Sequence, residues 1–346
     1  MKVIYFSEDL SYPFDEGIKK TAFLTLQIIN NSFDVIGFCK YGADTDQPKL
    51  INIPSNKLLL NKSVKKLVNS TEPDIILYLP SSSATFASFI RIWIMGLYSP
   101  KAKTAIISLQ PKSISYLYRI IVKMIKPDIC LSPSPLVLEQ LSAIGIKGKL
   151  IPLFVDIHKF KPIVNKDRKI ELRKKYNFPI NRFIISHMGH LNYGRNLDSL
   201  IQLQNDKNQI IISSSTSTPI DAPKEDKLKK KLIDSGIIII DKYIEYIEEI
   251  YQLSDLYIFP VIFNGGSIGM PLSIMEARAC GIPVLTTDYG SVKLFLDNDY
   301  GNIYYSEPVG FLKIIETIKN NRTSHDRTKV HDLNNMFIDA LKSLFQ

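Results

Sequence analysis

The stretch that decides the fold lies in the second half of the chain and runs Gly269-Met270-Pro271-Leu272-Ser273-Ile274-Met275-Glu276-Ala277-Arg278-Ala279-Cys280-Gly281-Ile282-Pro283-Val284. Its apolar residues predict a helix over 272–280, and Pro271 suits the first helical turn because proline lacks only an N–H that would have no partner there. Ile/Val-rich runs at 256–260 and 283–286 predict strands on either side. A strand, a helix and a second strand in this order indicate a unit of a parallel sheet.

The same alternation extends outward to both ends of the chain. In the first half it predicts strands at 2–6, 34–39, 74–79, 104–109 and 129–132, with helices at 18–30, 63–70 and 113–126. In the second half it predicts further strands at 182–188, 209–213 and 237–240 and a helix at 196–203. Apolar strands without polar alternation favour parallel sheets that are covered on both faces.

A linker bracketed by Pro152 and Pro162 separates the two series. We therefore predict an α/β protein with a Rossmann-like first domain at 1–155 and a second at 156–328. The helix predicted over 329–346 would pack back on the first domain. Two doubly wound domains that face each other leave a cleft at the carboxyl ends of their strands, which is where such sheets bind ligands.

Composition narrows the classes of function. The 346 residues are too many for one ordinary core, and the net charge of +9 favours anionic partners. No run of basic residues interleaved with aromatics occurs, so a nucleic-acid surface is not expected. The three cysteines fit neither a zinc nor a disulfide pattern, which predicts a reducing, cytoplasmic location. The apolar stretch 86–98 contains Arg91 and is shorter than the roughly 20 residues that span a bilayer.

The stretch 269–284 resembles the donor-site signature of family 4 glycosyltransferases, in which a glutamate and seven further residues precede a second glutamate and Ala-x-Ala-x-Gly-x-Pro-Val. Glu276 takes the position of the second glutamate. The resemblance implies that Glu276 accepts hydrogen bonds from the ribose hydroxyls of a nucleotide, a role that suits an acceptor-only carboxylate. It also implies that Gly269, Met270 and Pro271 lead into a helix end facing the diphosphate. The alternative is that Glu276 is an ordinary surface residue.

Three other segments support the resemblance. Residues 151–162 resemble the stretch between the domains, residues 188–197 the first loop of the donor domain, and residues 253–260 the strand before the glutamate motif. In that loop Arg195 replaces the usual lysine and His190 the usual arginine, and the resemblance implies that both stabilise the donor phosphates. The alternatives are an exposed cap residue for Arg195 and a buried structural histidine for His190.

The amino-terminal half resembles the family more weakly. Gly17, in the segment 15–18 after the first strand, takes the place of a loop glycine that approaches the donor, although a plain turn explains a lone glycine better. Gln110 stands where many members carry a histidine near the transferred sugar, and we expect it to contact that sugar by hydrogen bonding.

The signature itself departs from the family at one position. Ile268 replaces the first glutamate and cannot accept a hydrogen bond, which places the sugar contacts in doubt. Gly265, Gly266 and Ser267 offer backbone amides and a hydroxyl that could hold the sugar or the diphosphate instead. The alternative for these three residues is a flexible turn.

The resemblance implies a retaining glycosyltransferase that needs no metal and no cofactor, with a nucleotide-diphosphate sugar as donor and a saccharide or a lipid-linked acceptor. The helix predicted over 113–126 carries cations beside apolar residues, which fits either contact with an anionic membrane or an ordinary covering helix. Two other functions stay open: a non-catalytic relative that binds a nucleotide or a partner, and a nucleotide-sugar epimerase.

Overall fold

The computed structural model describes residues 1–14, 16–42, 50–112, 114–163, 165–214, 222–263, 265–296, 302–320 and 328–343. Asp15 and Ser113, together with residues 344–346 of the predicted last helix, belong to predicted segments and lie outside the described residues. The chain divides into two compact units. Unit 1 contains Met1–Leu153, Ile268–Met270 and Met336–Gln346, and unit 2 contains Phe154–Ser267 and Pro271–Asn335.

Unit 1 is built on a parallel sheet of seven strands in the order β3-β2-β1-β4-β5-β6-β7. Its strands are β1 (Lys2–Phe6), β2 (Asp34–Cys39), β3 (Leu50–Asn52), β4 (Ile75–Tyr78), β5 (Lys103–Ile107), β6 (Ile129–Ser132) and β7 (Gly148–Leu150). Its helices are α1 (Gly17–Asn30), α2 (Lys62–Thr71), α3 (Phe86–Tyr98), α4 (Tyr116–Met124) and α5 (Pro135–Ser142). Gly17 is therefore the first residue of a helix, whereas the sequence predicted a loop there.

The core of unit 1 forms where the central strands are apolar on both faces. Phe6 of β1 stacks on Phe38 of β2 and on Tyr78 of β4, with ring centroids 4.5 and 4.9 Å apart. Phe89, Ile92 and other apolar residues of α3 cover the same face of the sheet and are fully buried. Burial of this kind is the main favourable term in folding, and it fixes which face of each helix points inward.

Unit 2 repeats the plan with six parallel strands in the order β10-β9-β8-β11-β12-β13. Its strands are β8 (Phe183–Met188), β9 (Asn208–Ser213), β10 (Ile238–Ile240), β11 (Leu256–Phe259), β12 (Val284–Thr286) and β13 (Ile303–Tyr305). Its helices are α6 (Lys166–Lys175), α7 (Ala222–Asp234), α8 (Ile247–Leu253), α9 (Leu272–Ala279), α10 (Val292–Leu296) and α11 (Phe311–Asn320), and α12 (Thr328–Lys342) begins in this unit.

The helix predicted over 196–203 differs in kind from the prediction. The chain forms two 3₁₀ segments there, Tyr193–Arg195 and Leu197–Leu203. Asn196 separates them in the left-handed conformation, with φ of 55°, which asparagine tolerates better than most residues. Its side-chain amide donates to the carbonyl oxygen of Pro260 at 3.0 Å, and this bond ties the loop after β8 to the end of β11.

The strand order reverses at one place in each sheet, between β1 and β4 in unit 1 and between β8 and β11 in unit 2. Open α/β sheets bind ligands outside the carboxyl ends of the strands at such a switch point, because the connecting loops diverge there. The loops after β8 and β11 carry Arg195, His190 and residues 265–267, and α9, which follows β11, carries Glu276. No helix among the described residues is long and apolar enough to cross a membrane.

Candidate functional site

Arg195 lies in the loop after β8, at the switch point of unit 2. Its side chain is half-buried, its Nε is buried without a hydrogen-bond partner among the described residues, and its guanidinium lies 6.0 Å from the centre of the Phe259 ring. Burial lowers the pKa of Arg195, an effect that the phenols of Tyr257 and Tyr289 partly offset. No carboxylate of the described chain is among the groups that act on it. A partly buried guanidinium on which no carboxylate acts is suited to bind an anion.

Gly189 makes room for this guanidinium. A Cβ placed on Gly189 would lie 3.1 Å from an Arg195 terminal nitrogen and 3.2 Å from Nε2 of His187. Both distances are shorter than ordinary van der Waals contact, so a larger residue at 189 would displace one of the two side chains. The absence of a side chain at this position is therefore a requirement of the loop.

His187 of β8 was not anticipated from the sequence as part of the site. It is fully buried, and its Nδ1 is 2.9 Å from the carbonyl oxygen of Ile258, which assigns the proton of the neutral ring to Nδ1. Burial and, to a lesser extent, the charge of Arg195 lower the pKa of His187 to about 3. The ring is therefore neutral near pH 7 and adds no positive charge beside Arg195. A single histidine within the apolar strand at 183–188 was the only available signal.

His190 lies in the same loop, two residues after the end of β8, and is partly exposed. His190 is therefore not the buried structural histidine that was its alternative. Its carbonyl oxygen accepts a 3.0 Å hydrogen bond from the amide of Asn192, which shapes the turn that leads to Arg195.

Gly265, Gly266 and Ser267 follow β11 and are held in place by Tyr289. The Tyr289 hydroxyl accepts from the amide of Ser267 at 2.9 Å and donates to the carbonyl oxygen of Ser267 at 2.7 Å. A Cβ on Gly266 would lie 2.4 Å from the carbonyl oxygen of Gly194, so the loops after β8 and β11 are in close contact. Gly266 and Ser267 are therefore packed against neighbouring residues, whereas Gly265 is exposed and nothing lies within 4 Å of its Cβ position.

Glu276 lies on α9 and is only 4% exposed, which excludes the alternative of an ordinary surface residue. The phenol of Tyr251, on α8, donates to a carboxylate oxygen of Glu276 at 2.8 Å. Burial and, secondarily, the neighbouring Glu276 raise the pKa of Tyr251 well above its usual value, so the phenol stays a proton donor. A buried carboxylate costs free energy unless it is hydrogen-bonded, and Tyr251 supplies one such bond.

The short segment before α9 belongs to unit 1. The amide of Gly269 donates to the carbonyl oxygen of Leu109 at 3.0 Å, and the sulfur of Met270 accepts from the amide of Leu153 at 3.2 Å. A Cβ on Gly17 would lie 3.6 Å from Cδ1 of Ile268, in ordinary contact. The structure therefore brings Ile268 and Gly17 together, and the apolar residue at the first-glutamate position packs on the start of α1. Pro271 caps the amino end of α9.

Gln110 follows β5 in unit 1, and a small network of serines fixes its backbone. The hydroxyl of Ser83 donates to the carbonyl oxygen of Gln110 at 2.7 Å, accepts from the Gln110 amide at 3.0 Å, and lies 2.7 Å from the hydroxyl of Ser108. Ser83 has a φ of 62°, a strained value for serine that these bonds maintain. The position of Gln110 is thus well determined.

A second group at the unit 1 switch point was missed at the sequence level. Glu8, just after β1, accepts hydrogen bonds from the phenol of Tyr78, from the amide of Ser81 at 2.9 Å and from Arg91 at 2.5 Å. The carboxylate and the guanidinium are both largely buried. These bonds tie the carboxyl ends of β1 and β4 to α3. Residues so far apart in the chain offer no local pattern from which to predict the group.

A family model described as glycosyl transferases group 1 matches residues 195–320, which include Arg195, the Gly265–Ser267 segment and Glu276. Among curated proteins, the chain is 27% identical over 179 residues to alpha-galactosylglucosyldiacylglycerol synthase of Streptococcus pneumoniae, covering 48% of the chain and 46% of that protein. It is 25% identical over 154 residues to the putative teichuronic acid biosynthesis glycosyltransferase TuaC of Bacillus subtilis, covering 43% of the chain and 35% of that protein. The chain thus spans less than half the length of these relatives.

Solved structures match over the whole chain. HepE of Anabaena in complex with UDP superposes with a TM-score of 0.76 at 15% identity, covering 99% of this chain and all of that one. The same protein in complex with UDP-glucose gives a TM-score of 0.72 at 14% identity, with the same coverage. These structures confirm the GT-B fold with two Rossmann-like domains, and the family model over residues 195–320 supports the resemblance to family 4 glycosyltransferases.

Proposed function

We propose that this chain, a family 4-like glycosyltransferase with the GT-B fold, transfers a sugar from a nucleoside-diphosphate sugar to a saccharide or a lipid-linked acceptor. The observation that carries the proposal is the guanidinium of Arg195 at the switch point of unit 2, whose Nε is buried without a hydrogen-bond partner among the described residues. Such a group is costly to bury and is stabilised when an anion binds. The pyrophosphate of a nucleotide sugar is an anion that matches the planar fork of arginine.

The nucleoside would be held by Glu276. An ionised carboxylate accepts about four hydrogen bonds, and the two neighbouring hydroxyls of a ribose are donors that fit it. The bond from Tyr251 fixes the orientation of the side chain, so that binding requires little further ordering. The backbone amides at the start of α9 place partial positive charge at the amino end of the helix that carries Glu276, and this charge favours a phosphate there.

In the proposed reaction the bond between the anomeric carbon and the diphosphate breaks while the acceptor oxygen attacks from the same side, so that anomeric configuration is retained. The proton of the acceptor hydroxyl passes to the leaving phosphate oxygen. Arg195, His190 and the Gly265–Ser267 amides stabilise the negative charge on that phosphate, and no metal is required. Gln110 would contact the transferred sugar through hydrogen bonds, since an amide is neither an acid nor a base near pH 7.

The similar proteins support particular donor and acceptor substrates. HepE binds UDP and UDP-glucose, so UDP-sugars are the first donors to test. The curated relatives are named for the synthesis of a glycosylated diacylglycerol and of teichuronic acid, which supports diacylglycerol glycolipids and acidic polysaccharides as acceptors. Contact with the cytoplasmic face of a membrane forms part of the same proposal.

The test is to incubate the purified chain with a panel of nucleotide sugars and these acceptors, with and without EDTA, and to determine products by mass spectrometry and anomeric configuration by NMR. We expect one donor to give a retained glycoside at an unchanged rate in EDTA. Nucleotide binding without turnover on any donor would favour the non-catalytic alternative. A changed donor sugar in reactions without acceptor would favour the epimerase.

A further inference from the structure

The outer side of α4 is apolar although it faces solvent. Val122 is fully buried and marks the inward side of the helix. Ile120 and Met124 lie two residues on either side, close to the opposite side of a helix with 3.6 residues per turn, and are 54% and 81% exposed. Ile121 is also exposed. A covering helix of a sheet buries its apolar residues and exposes its polar ones, so α4 departs from that pattern.

Helix α3 continues this apolar surface. Phe86 stacks on Tyr118 of α4, with ring centroids 4.2 Å apart, so the two helices are in contact. Trp93 and Leu97 follow Phe86 by seven and eleven residues, a spacing that places them on the same stripe of α3. Both are exposed. We call Trp93, Leu97, Ile120, Ile121 and Met124, with the cations Arg119 and Lys123, the α3–α4 face.

The charge around this face has one sign. Residues 75–127 contain no aspartate and no glutamate, whereas they contain seven cations: Arg91, Lys101, Lys103, Lys112, Arg119, Lys123 and Lys126. Arg91 is paired with Glu8 and is largely buried, which leaves six cations to act on a partner. Arg119 and Lys123 flank the apolar stripe of α4 and are themselves exposed. These six cations favour an anionic surface over a cationic one within a screening length of about 10 Å.

We propose that the α3–α4 face docks on an anionic lipid bilayer, with Trp93, Leu97, Ile120, Ile121 and Met124 in the interfacial region and the surrounding cations against the lipid phosphates. Exposed aliphatic residues beside lysine and arginine, with a tryptophan at the border, match the composition of interfacial helices. A protein partner would require a complementary shape and acidic side chains opposite these cations. The proposal deepens the proposed function, because it makes a membrane lipid the acceptor class.

The experiment measures co-flotation of the full chain with vesicles of phosphatidylglycerol and phosphatidylcholine in equal parts, and with vesicles of phosphatidylcholine alone. We expect binding to the anionic vesicles only, and a loss of binding in 0.5 M salt. In Arg119→Ala/Lys123→Ala, partitioning should fall roughly fivefold for each cation removed. In Ile120→Ser/Met124→Ser it should fall at least tenfold, because the apolar residues no longer insert.

Leu294→Ser/Lys293→Ala on α10 is the matched control, since Leu294 is 61% exposed and adjacent to a cation. It should float like the wild type. Wild-type protein that stays in the aqueous phase, or α4 variants that float normally, would overturn the proposal. The proposal would also be overturned if the wild type sedimented as a dimer and did not bind vesicles, and if Ile120→Ser/Met124→Ser were a monomer. Nucleotide affinity measured on the same samples separates this outcome from a failure of the donor site, because the α3–α4 face contains none of its residues.

Discussion

The phenol of Tyr251 donates a hydrogen bond of 2.8 Å to the buried carboxylate of Glu276, and it links α8 to the helix that carries the glutamate motif. This bond gives the carboxylate a fixed orientation before any ligand is present. The tyrosine lies 25 residues before the glutamate in the chain, and neither residue alone indicates the pairing.

Removal of this hydroxyl in Tyr251→Phe should weaken nucleoside-diphosphate binding by about three- to tenfold and lower the free energy of unfolding by about 1–2 kcal/mol, because a buried acceptor loses a partner. Glu276→Ala should weaken binding more than Tyr251→Phe does. Isothermal titration calorimetry and urea denaturation measure the two effects. Equal nucleotide affinity in all three proteins would exclude a role for Glu276 in the site.

Tyr289 should affect catalysis indirectly, through its hydrogen bonds to the backbone of Ser267. Tyr289→Phe loses both hydrogen bonds to Ser267, so we expect residues 265–267 to be held less firmly. The value of kcat/KM should fall by more than the loss of folded protein accounts for. Tyr246→Phe, at an exposed tyrosine, is the control. A variant with wild-type kcat/KM would show that the segment does not contact the donor.

The absence of a side chain at residue 189 should determine the position of the Arg195 guanidinium. Gly189→Ala places a methyl group 3.1 Å from Arg195, so the side chain must move and nucleotide affinity should fall about tenfold. Gly145→Ala is the matched control, because Gly145 has a φ of 77° and nothing lies within 4 Å of its Cβ position. The control should lose stability through backbone strain and keep its nucleotide affinity; a loss of affinity in the control alone would contradict the assignment.

His187 should make stability depend on pH. Its pKa of about 3 in the folded chain is below the usual value near 6.5, so the unfolded state binds the additional proton between these values. The stabilisation is fully present above about pH 6.5 and is lost as the pH falls towards 3, by up to about 1.4 kcal/mol per pH unit. Urea denaturation between pH 4.5 and 7 should show a shallower slope for His187→Asn, whose amide can replace the Nδ1 donor. Identical slopes would contradict this account.

Much of the fold follows from periodicity alone. Strands such as 2–6 and 34–39 were predicted at their observed bounds, because buried parallel strands are apolar without interruption. The short edge strands β3, β7 and β13 were not predicted. They lack the run of aliphatic residues that identified the equally short strand β10. The helix at 196–203 was predicted in the wrong form because the left-handed Asn196 depends on a contact with Pro260, 64 residues away.

The residues of the candidate site likewise divide into those that the sequence predicted and those that it did not. Residues within contiguous motifs, such as Arg195 and Glu276, could be proposed from the sequence. Partners that act through packing could not be proposed: His187 and Tyr289 lie outside the motif positions. The exposure of Met124 could not be predicted either, because an amphipathic pattern does not show which side of a helix is covered.

The account depends on the guanidinium of Arg195 as the group that holds the diphosphate, and calorimetric titration of UDP into Arg195→Ala tests it most directly. Arg168→Ala is the matched control, because Arg168 is an exposed arginine of the same unit. We predict that Arg195→Ala binds UDP roughly 10- to 100-fold more weakly than the wild type, as expected for a lost charge-assisted bond, while Arg168→Ala is unchanged. Wild-type affinity in Arg195→Ala, with a folded protein by circular dichroism, would contradict the account.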